Sequence, residues 1–262
     1  KGVAPELQEQ IIDSVSSFAL YGFPESHAIS FGLLAYCSTW LKAHRPVEVY
    51  VALLNNQPMG FYSPDSLIKD AKRHDIRSRP VDVTVSDWHS TVESDTVLRL
   101  GLHVVNELSH TGADPIITER NHQSFASLED FILRTRLNKD ERRVLAEIGA
   151  LNALAGHRRE ALWQIEKQPD PEDLFFAPSP AVPAPVNRPS DESTLEPMAP
   201  LERLEADYHG QNMSTGPHPM AFLRRQLPDT WRASELPSGN NGQPVLIAGL
   251  VICRQRPSTA NG

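Results

Sequence analysis

At 262 residues the chain is long enough for more than one domain of ordinary size. Its formal net charge of −8 argues against a protein that simply coats nucleic acid. No apolar run approaches the length of a membrane span, so no membrane contact is expected and the cytoplasm is the expected location. Cys37 and Cys253 are far apart, without zinc or redox spacing, and read as two buried free thiols in a reducing cytosol. The chain starts at Lys1 without a Met or a basic-plus-apolar leader and stops just after an apparent strand. Both ends are therefore expected to be cuts within a longer chain.

Residues 1–80 read as helical. Leu7, Ile11, Val15 and Phe18 keep helical spacing and predict an amphipathic helix over residues 5–19. Tyr21-Gly22-Phe23-Pro24 breaks it, and Pro24 suits the first turn of a second helix, where its missing N–H costs nothing. That helix runs to about His44. It is apolar on most sides (Ala28, Ile29, Phe31, Leu33, Leu34, Tyr36, Trp40, Leu41), which predicts burial. Pro46 starts a third helix through Asn55. Ser63-Pro64 caps a fourth, closed by Lys72, Arg73 and His74, whose charge suits the helix dipole.

Residues 81–103 alternate, with Val81, Val83 and Val85 and then Leu98, Leu100 and Leu102 pointing one way, as in strands or extended segments. Residues 104–167 return to short helices. Asp114-Pro115 starts one and Ser127 with Asp130 another, while Asn138 with Glu141 makes a capping box for a helix that Gly149 ends. Residues 168–200 hold nine prolines and read as an extended linker. In it, Phe175-Phe176 reads equally as a docking peptide or as a segment packed on the chain's own helices. Residues 201–227 suggest short helices around a Gly/Pro-rich turn, and 243–255 a strand, with Val245–Cys253 buried.

Charge is unevenly placed. Residues 1–80 hold eight Lys/Arg and eight Asp/Glu, whereas Lys69–Arg79 sets five basic residues against Asp70 and Asp75. That patch reads equally as a solvated helix face and as a nucleic-acid contact. Lys42, His44 and Arg45 at the end of the second helix pose the same choice, between phosphate contact and dipole compensation. The histidines show no ligand spacing. Gly-rich phosphate loops, Ser-His-Asp sets and paired carboxylates do not rise above chance.

Tyr21-Gly22-Phe23-Pro24-Glu25-Ser26-His27-Ala28, followed by Phe31-Gly32-Leu33-Leu34-Ala35-Tyr36 and Trp40-Leu41-Lys42-Ala43-His44, resembles the fingers of the bacterial C-family DNA polymerases. Pro24-Glu25 before Ser26-His27, Gln57-Pro58-Met59-Gly60-Phe61-Tyr62-Ser63-Pro64, and Arg79-Pro80-Val81-Asp82-Val83 with Ser86-Asp87-Trp88 are similar to the family's error-prone branch. Gly216-Pro217-His218-Pro219-Met220 and Val245–Pro257 resemble the approach to its OB-fold. The resemblance covers nearly everything outside the proline-rich stretch.

The resemblance implies a mainly α fragment. Residues 1–80 would be the C-terminal part of the fingers and 81–167 a tandem helix-hairpin-helix module. A proline-rich linker would follow over 168–200, then a connector and the start of a β OB-fold over 201–262. It implies damage-induced, translesion DNA synthesis on primer-template DNA with dNTP. The palm aspartates and their Mg2+ would lie outside the chain, which alone is expected to be inactive. Ser26 and His27 would donate to triphosphate oxygens, although Ser26 is also an ordinary helix cap. A sliding clamp and an accessory protein similar to Y-family polymerases are the implied partners. The alternatives are the replicative alpha subunit, which typically carries Asn-Lys before Ser-His, and a non-catalytic DNA-binding scaffold.

The family's first hairpin carries glycines that let the backbone approach a phosphate. Here Glu107 and Ser109 stand in their places, and Gly112 comes late. Glu107 would repel phosphate. Arg120 in the next helix is a candidate phosphate contact. The helix with Arg142 and Arg143 would belong to the second hairpin, whose turn Gly149-Ala150-Leu151 is also a poor match.

Overall fold

The computed structural model describes residues 4–20, 25–60, 62–167 and 195–251, with the side chains of 17–20, 25 and 26 set aside. Tyr21–Pro24, Phe175-Phe176 and Cys253 therefore lie outside the described residues, as does most of the expected linker. The described part is mainly α-helical, with one small sheet.

Two helices open the chain, α1 (Pro5–Leu20) and α2 (Glu25–His44). Both stand where the breakers and Pro24 put them. Their apolar surface is not buried, however, and every described side chain on them is exposed. Phe31, Leu34 and Tyr36 are all more than half exposed. The expected burial of α2 is thus corrected. Periodicity reports what a helix face prefers, and nothing among the described residues covers this one. Cys37, expected to be buried, is exposed for the same reason.

The core begins at α3 (Pro46–Asn55). Pro46 occupies its first turn, and Val47, Tyr50 and Leu54 fall on one buried face. α4 (Pro64–Arg73) starts at Ser63, whose side chain accepts from Ser66 N–H at 3.3 Å, and buries Leu67, Ile68 and Ala71. Three short strands follow: β1 (Arg77–Arg79), β2 (Thr91–Ser94) and β3 (Val97–Arg99). β3 lies in the middle, parallel to β1 and antiparallel to β2. Glu93 binds Arg99 at 2.6 Å and Arg79 at 3.1 Å across the strands. The Asn55 side chain donates to Ser90 C=O and accepts from Ser90 N–H, tying α3 to the sheet.

The expected alternation holds for Leu98, Leu100 and Leu102, each fully buried. It fails for Val81–Val85, which form a turn rather than a strand. Asp82 takes the N–H of Val85 and Ser86 on its carbonyl, and its carboxylate accepts from Thr84. Val81 and Val83 are buried while Val85 is half exposed.

The helical module comprises α5 (His110–His122), α6 (Leu128–Thr135), α7 (Lys139–Glu147), α8 (Asn152–Ala155) and α9 (Arg158–Lys167). Ser127 caps α6, and Asn138 and Glu141 form the anticipated capping box of α7. The helix expected to begin at Asp114-Pro115 instead begins at His110. Ser109 caps it, so Pro115 lies inside the helix and removes one intrahelical bond. Beyond the proline-rich stretch come α10 (Pro200–Gln211) and α11 (Pro219–Leu223). α10 lies against α7, where Gly210 leaves room for Ile148.

The expected strand over 243–255 is not formed among residues 243–251. One bridge joins Ile247 to Trp231, and Leu246, Ile247, Leu250 and Val251 are exposed. An apolar run forms a buried strand only when neighbouring strands pair with it, and none is present among the described residues.

Candidate nucleic-acid interface

Among the described residues two turns invite comparison as DNA-phosphate clamps, one leading from β3 into α5 and one between α7 and α9. In the first, β3 leads through Gly101 and a short 3-10 turn (Leu102–Val104) to Asn106-Glu107-Leu108-Ser109 and α5. Gly101 is required here, because a Cβ would overlap the backbone of Trp88–Ser90. Asn106 is held by α10: its N–H donates to Gly210 C=O at 2.7 Å and its side-chain amide to His209 C=O at 2.7 Å. Glu107 sits at φ +64°, the left-handed region that favours glycine. The turn has kept the backbone that a glycine would adopt, with a carboxylate in glycine's seat.

Ser109 then caps α5 by accepting from Gly112 N–H at 3.0 Å. Asn106 and Glu107 are the middle of a hydrogen-bonded turn, and the backbone N–H groups of Ser109, His110 and Thr111 after it donate to no acceptor among the described residues. They form an open set of donors at a helix start, the usual provision for an anion. The Glu107 carboxylate is exposed beside them and opposes that use.

The second unit joins α7 to α9. Gly149 at φ +82° ends α7 in a Schellman pair: Gly149 N–H donates to Ala146 C=O and Ala150 N–H to Leu145 C=O. This turn faces inward. Ala150 and Leu151 are fully buried, and Ala150 C=O accepts from Val83 N–H at 3.0 Å. Arg143 and Lys139 both bind Glu166, at 2.7 and 2.8 Å, which clamps α7 to α9 and holds the Glu166 carboxyl below its ordinary range. Arg142 is buried.

Arg120, the expected phosphate contact, is engaged within the fold. Its side chain is 10% exposed. It donates to Val83 C=O at 3.1 Å, Ser86 C=O at 2.8 Å and the Asp87 carboxylate at 2.9 Å. A guanidinium so engaged braces the 82–87 turn, and its remaining surface leaves little for a phosphate.

The other sequence-selected residues divide between the two ends of α2. His27 lies near its start with its ring 4.3 Å from that of Phe31; Ser26 is helical, but its side chain lies outside the described residues. Lys42 is fifteen residues, or ~22 Å, further along. The structure therefore does not bring the Ser26–His27 pair and the Lys42, His44 and Arg45 group together. His44 stacks on Trp40, and Arg45 approaches Glu48 at 3.8 Å. Lys42 binds Asp70 at 3.1 Å. Asp70 also accepts from the Tyr50 hydroxyl at 2.6 Å. That hydrogen bond, with Lys42, keeps the Asp70 carboxyl below its ordinary range, while burial and then Asp70 push the Tyr50 hydroxyl up.

One arrangement escapes sequence reading. A cavity of about 330 Å3 lies between α4 and the turn after α10. It brings Lys69, Lys72 and Arg73 to the Ser214–His218 segment, and Lys72 reaches Gly216 C=O at 3.5 Å. The basic run was legible, but its partner lies 144 residues away and no local pattern announces the pairing. Among the described residues no group of three or more His, Cys, Asp or Glu side chains converges as a metal site. No described helix is long and apolar enough to cross a membrane.

A family model described as a helix-hairpin-helix motif matches residues 75–161, the sheet and both turns. Three relatives, each named error-prone DNA polymerase, match 100% of the chain. They come from Alkalilimnicola ehrlichii (42% identical), Pseudomonas savastanoi pv. phaseolicola (41%) and Pseudomonas aeruginosa (40%). The chain spans 25%, 26% and 25% of their respective lengths. The resemblance to the error-prone branch is thereby borne out: over its whole length this chain is homologous to a segment, about a quarter long, of bacterial proteins named error-prone DNA polymerase.

Proposed function

We propose that the chain is a nucleotide- and DNA-handling segment of an error-prone, DNA-directed DNA polymerase that acts in damage-induced mutagenesis and translesion synthesis. The observation that carries this reading is similarity along the entire chain, at about two residues in five, to proteins bearing that name.

In the whole protein, the primer 3′-oxygen bonds to the α-phosphorus of a dNTP and the bond to pyrophosphate breaks. Divalent metal, Mg2+ by family expectation, neutralises charge in such transfers. Its ligands are expected to be palm aspartates of the whole protein, outside this chain. This chain's part is positioning. Ser26 and His27, in the first turn of α2, would donate to triphosphate oxygens together with the helix-start N–H groups. Lys42, His44 and Arg45 at the far end would lie along primer-template phosphate. Lys42 would do so by exchanging its Asp70 partner, while Arg120 would contribute only by bracing its turn. In the same reading, residues 1–80 belong to the fingers and 81–167 form the hairpin module. Residues 168–200 link that module to 201–262, which lead into an OB-fold. A sliding clamp and a Y-family-like accessory protein would be partners in the cytoplasm.

The test uses the full-length protein. Primer extension past an abasic site is expected, and its complete absence overturns the reading. In the same protein His27→Ala is expected to raise KM for dNTP while leaving primer-template affinity unchanged. Unaltered KM and turnover would remove His27 from the nucleotide site. Residues 1–262 alone should extend no primer, with or without magnesium.

A further inference from the structure

Neither hairpin turn is a ready phosphate clamp, one carrying an acid and the other facing the core. The cavity between α4 and the Ser214–His218 turn is better furnished. We infer that it binds a backbone phosphate of nucleic acid, an inference that rests on the DNA-handling reading above.

Three of the residues lining this cavity, Lys69, Lys72 and Arg73, are cations, and no carboxylate lines it. Their states differ. Lys69 is tied to Asp65 at 2.5 Å and lies 5.8 Å over the Tyr208 ring, so it is held in place by its partners. Its one carboxylate, Asp65, is already shared with the Tyr208 hydroxyl at 3.0 Å. Lys72 is exposed, and its long 3.5 Å contact to Gly216 C=O is readily exchanged. Arg73 is exposed and pairs with no acid among the described residues. Lys72 and Arg73 are therefore the two charges available to an incoming anion.

The opposite wall supplies a directed donor. His218 Nδ1 accepts from Met220 N–H at 3.1 Å, which fixes the tautomer and leaves Nε2 carrying the proton. Partial burial and then the charge of Lys69 favour the neutral ring, Asp65 opposes them, and Arg73 and Arg224 add to them. A neutral N–H donor lining the same cavity as Lys72 and Arg73 suits a phosphodiester, which accepts on its two non-bridging oxygens. The turn itself is well anchored. Ser214 is buried, donates to Asp207 at 2.5 Å and accepts from Gly216 N–H at 3.0 Å. Asp207 in turn binds Arg158 at 2.7 Å. On the other side Asp75 lines an adjoining hollow, together with Arg77 and Thr215. That acid discourages extension of the anion site in this direction.

The test measures binding of a fluorescein-labelled primed DNA duplex to residues 1–262 across a range of salt. Each phosphate contact contributes about 0.9 to the slope of log affinity against log salt. Lys72→Ala with Arg73→Ala is expected to make that slope shallower by about one, since the two cations serve one phosphate. The charge-keeping pair Lys72→Arg with Arg73→Lys should restore it. Thr215→Trp, which fills the cavity without changing charge, should weaken binding, whereas a diffuse surface field would not respond to it. Thermal unfolding by circular dichroism identifies a variant that fails to fold, and the alanine pair then decides alone. An unchanged slope in the folded alanine pair overturns the inference. So does inorganic pyrophosphate protecting the cavity while DNA binding keeps its slope, since the site would then serve a free anion. If the unmodified chain does not bind DNA, the DNA-handling reading itself fails, a result distinct from these.

Discussion

The two hairpin turns share a backbone conformation and differ in the residue that adopts it. Glu107 and Gly149 both hold the left-handed backbone, at φ +64° and +82°. At the second turn the residue matches the conformation. Glycine accepts it without strain, the Schellman bonds close, and Ala150 docks Val83. At the first the conformation survives against the residue's preference, held by Asn106 against Gly210 and by Leu108 in the core. The second turn thus has a glycine where the backbone favours one but faces the core, while the first faces solvent but carries a carboxylate there.

The largest effect that would break this contrast is expected at Gly149. Its Cβ would lie 2.8 Å from Arg158 Nε and 2.9 Å from Asn152 Nδ2. Gly149→Val adds a β-branched residue in the left-handed region and should destabilise the chain by about 3 kcal/mol in urea unfolding. A change below ~1 kcal/mol would mean the turn is less determined than the Schellman bonds suggest. Next, Arg120→Ala leaves two carbonyls and Asp87 without their donor and should cost about 2 kcal/mol, with DNA affinity little changed. A fall in DNA affinity at unaltered stability would return Arg120 to the phosphate role that its sequence position suggests.

Glu107→Gly sharpens the comparison from the other side. It should stabilise the chain by about 1 kcal/mol by relieving the left-handed strain. It should also tighten DNA binding, because the N–H groups of residues 109–111 would lose the carboxylate beside them. No gain in affinity would show that this turn lies away from the DNA path.

The smallest effect concerns acid. The folded Asp70 carboxyl is held below its ordinary range by Tyr50, with Lys42 adding to it. Its stabilising contribution is therefore present above the unfolded pKa and is lost as pH falls through the folded value. Asp70→Asn should flatten that part of the acid-side stability curve and leave neutral-to-basic behaviour parallel to the parent. An unchanged acid limb would remove Asp70 from the balance.

Local chemistry was legible wherever it closed on itself. Pro46, Ser63 with Pro64, Ser127, and Asn138 with Glu141 each satisfy their helix within three or four residues, and each stands where its sequence predicts. What depended on remote partners was not legible. The apolar face of α2 asks for a cover that its own sequence cannot supply. β1 is Arg-Ser-Arg, polar throughout, and becomes a strand only because β3 pairs with it. Pro115 looks like a helix start until Ser109 is seen capping six residues earlier. At the interface, the missing glycine at Glu107 was plain in the sequence, whereas the meeting of Lys72 with Gly216 was not, since only the tertiary fold joins them.

The seam between Asn106 and α10 has an evolutionary consequence. His209, Gly210 and Asn212 grip the first turn from across the chain, independently of the residues between α9 and α10. Once both ends of a connection are pinned, doubling its length costs only about 0.6 kcal/mol. The grip therefore does not depend on the length of sequence between Lys167 and Leu195. Insertions and deletions should gather there, and His209–Asn212 should drift together with Asn106 as one heritable unit.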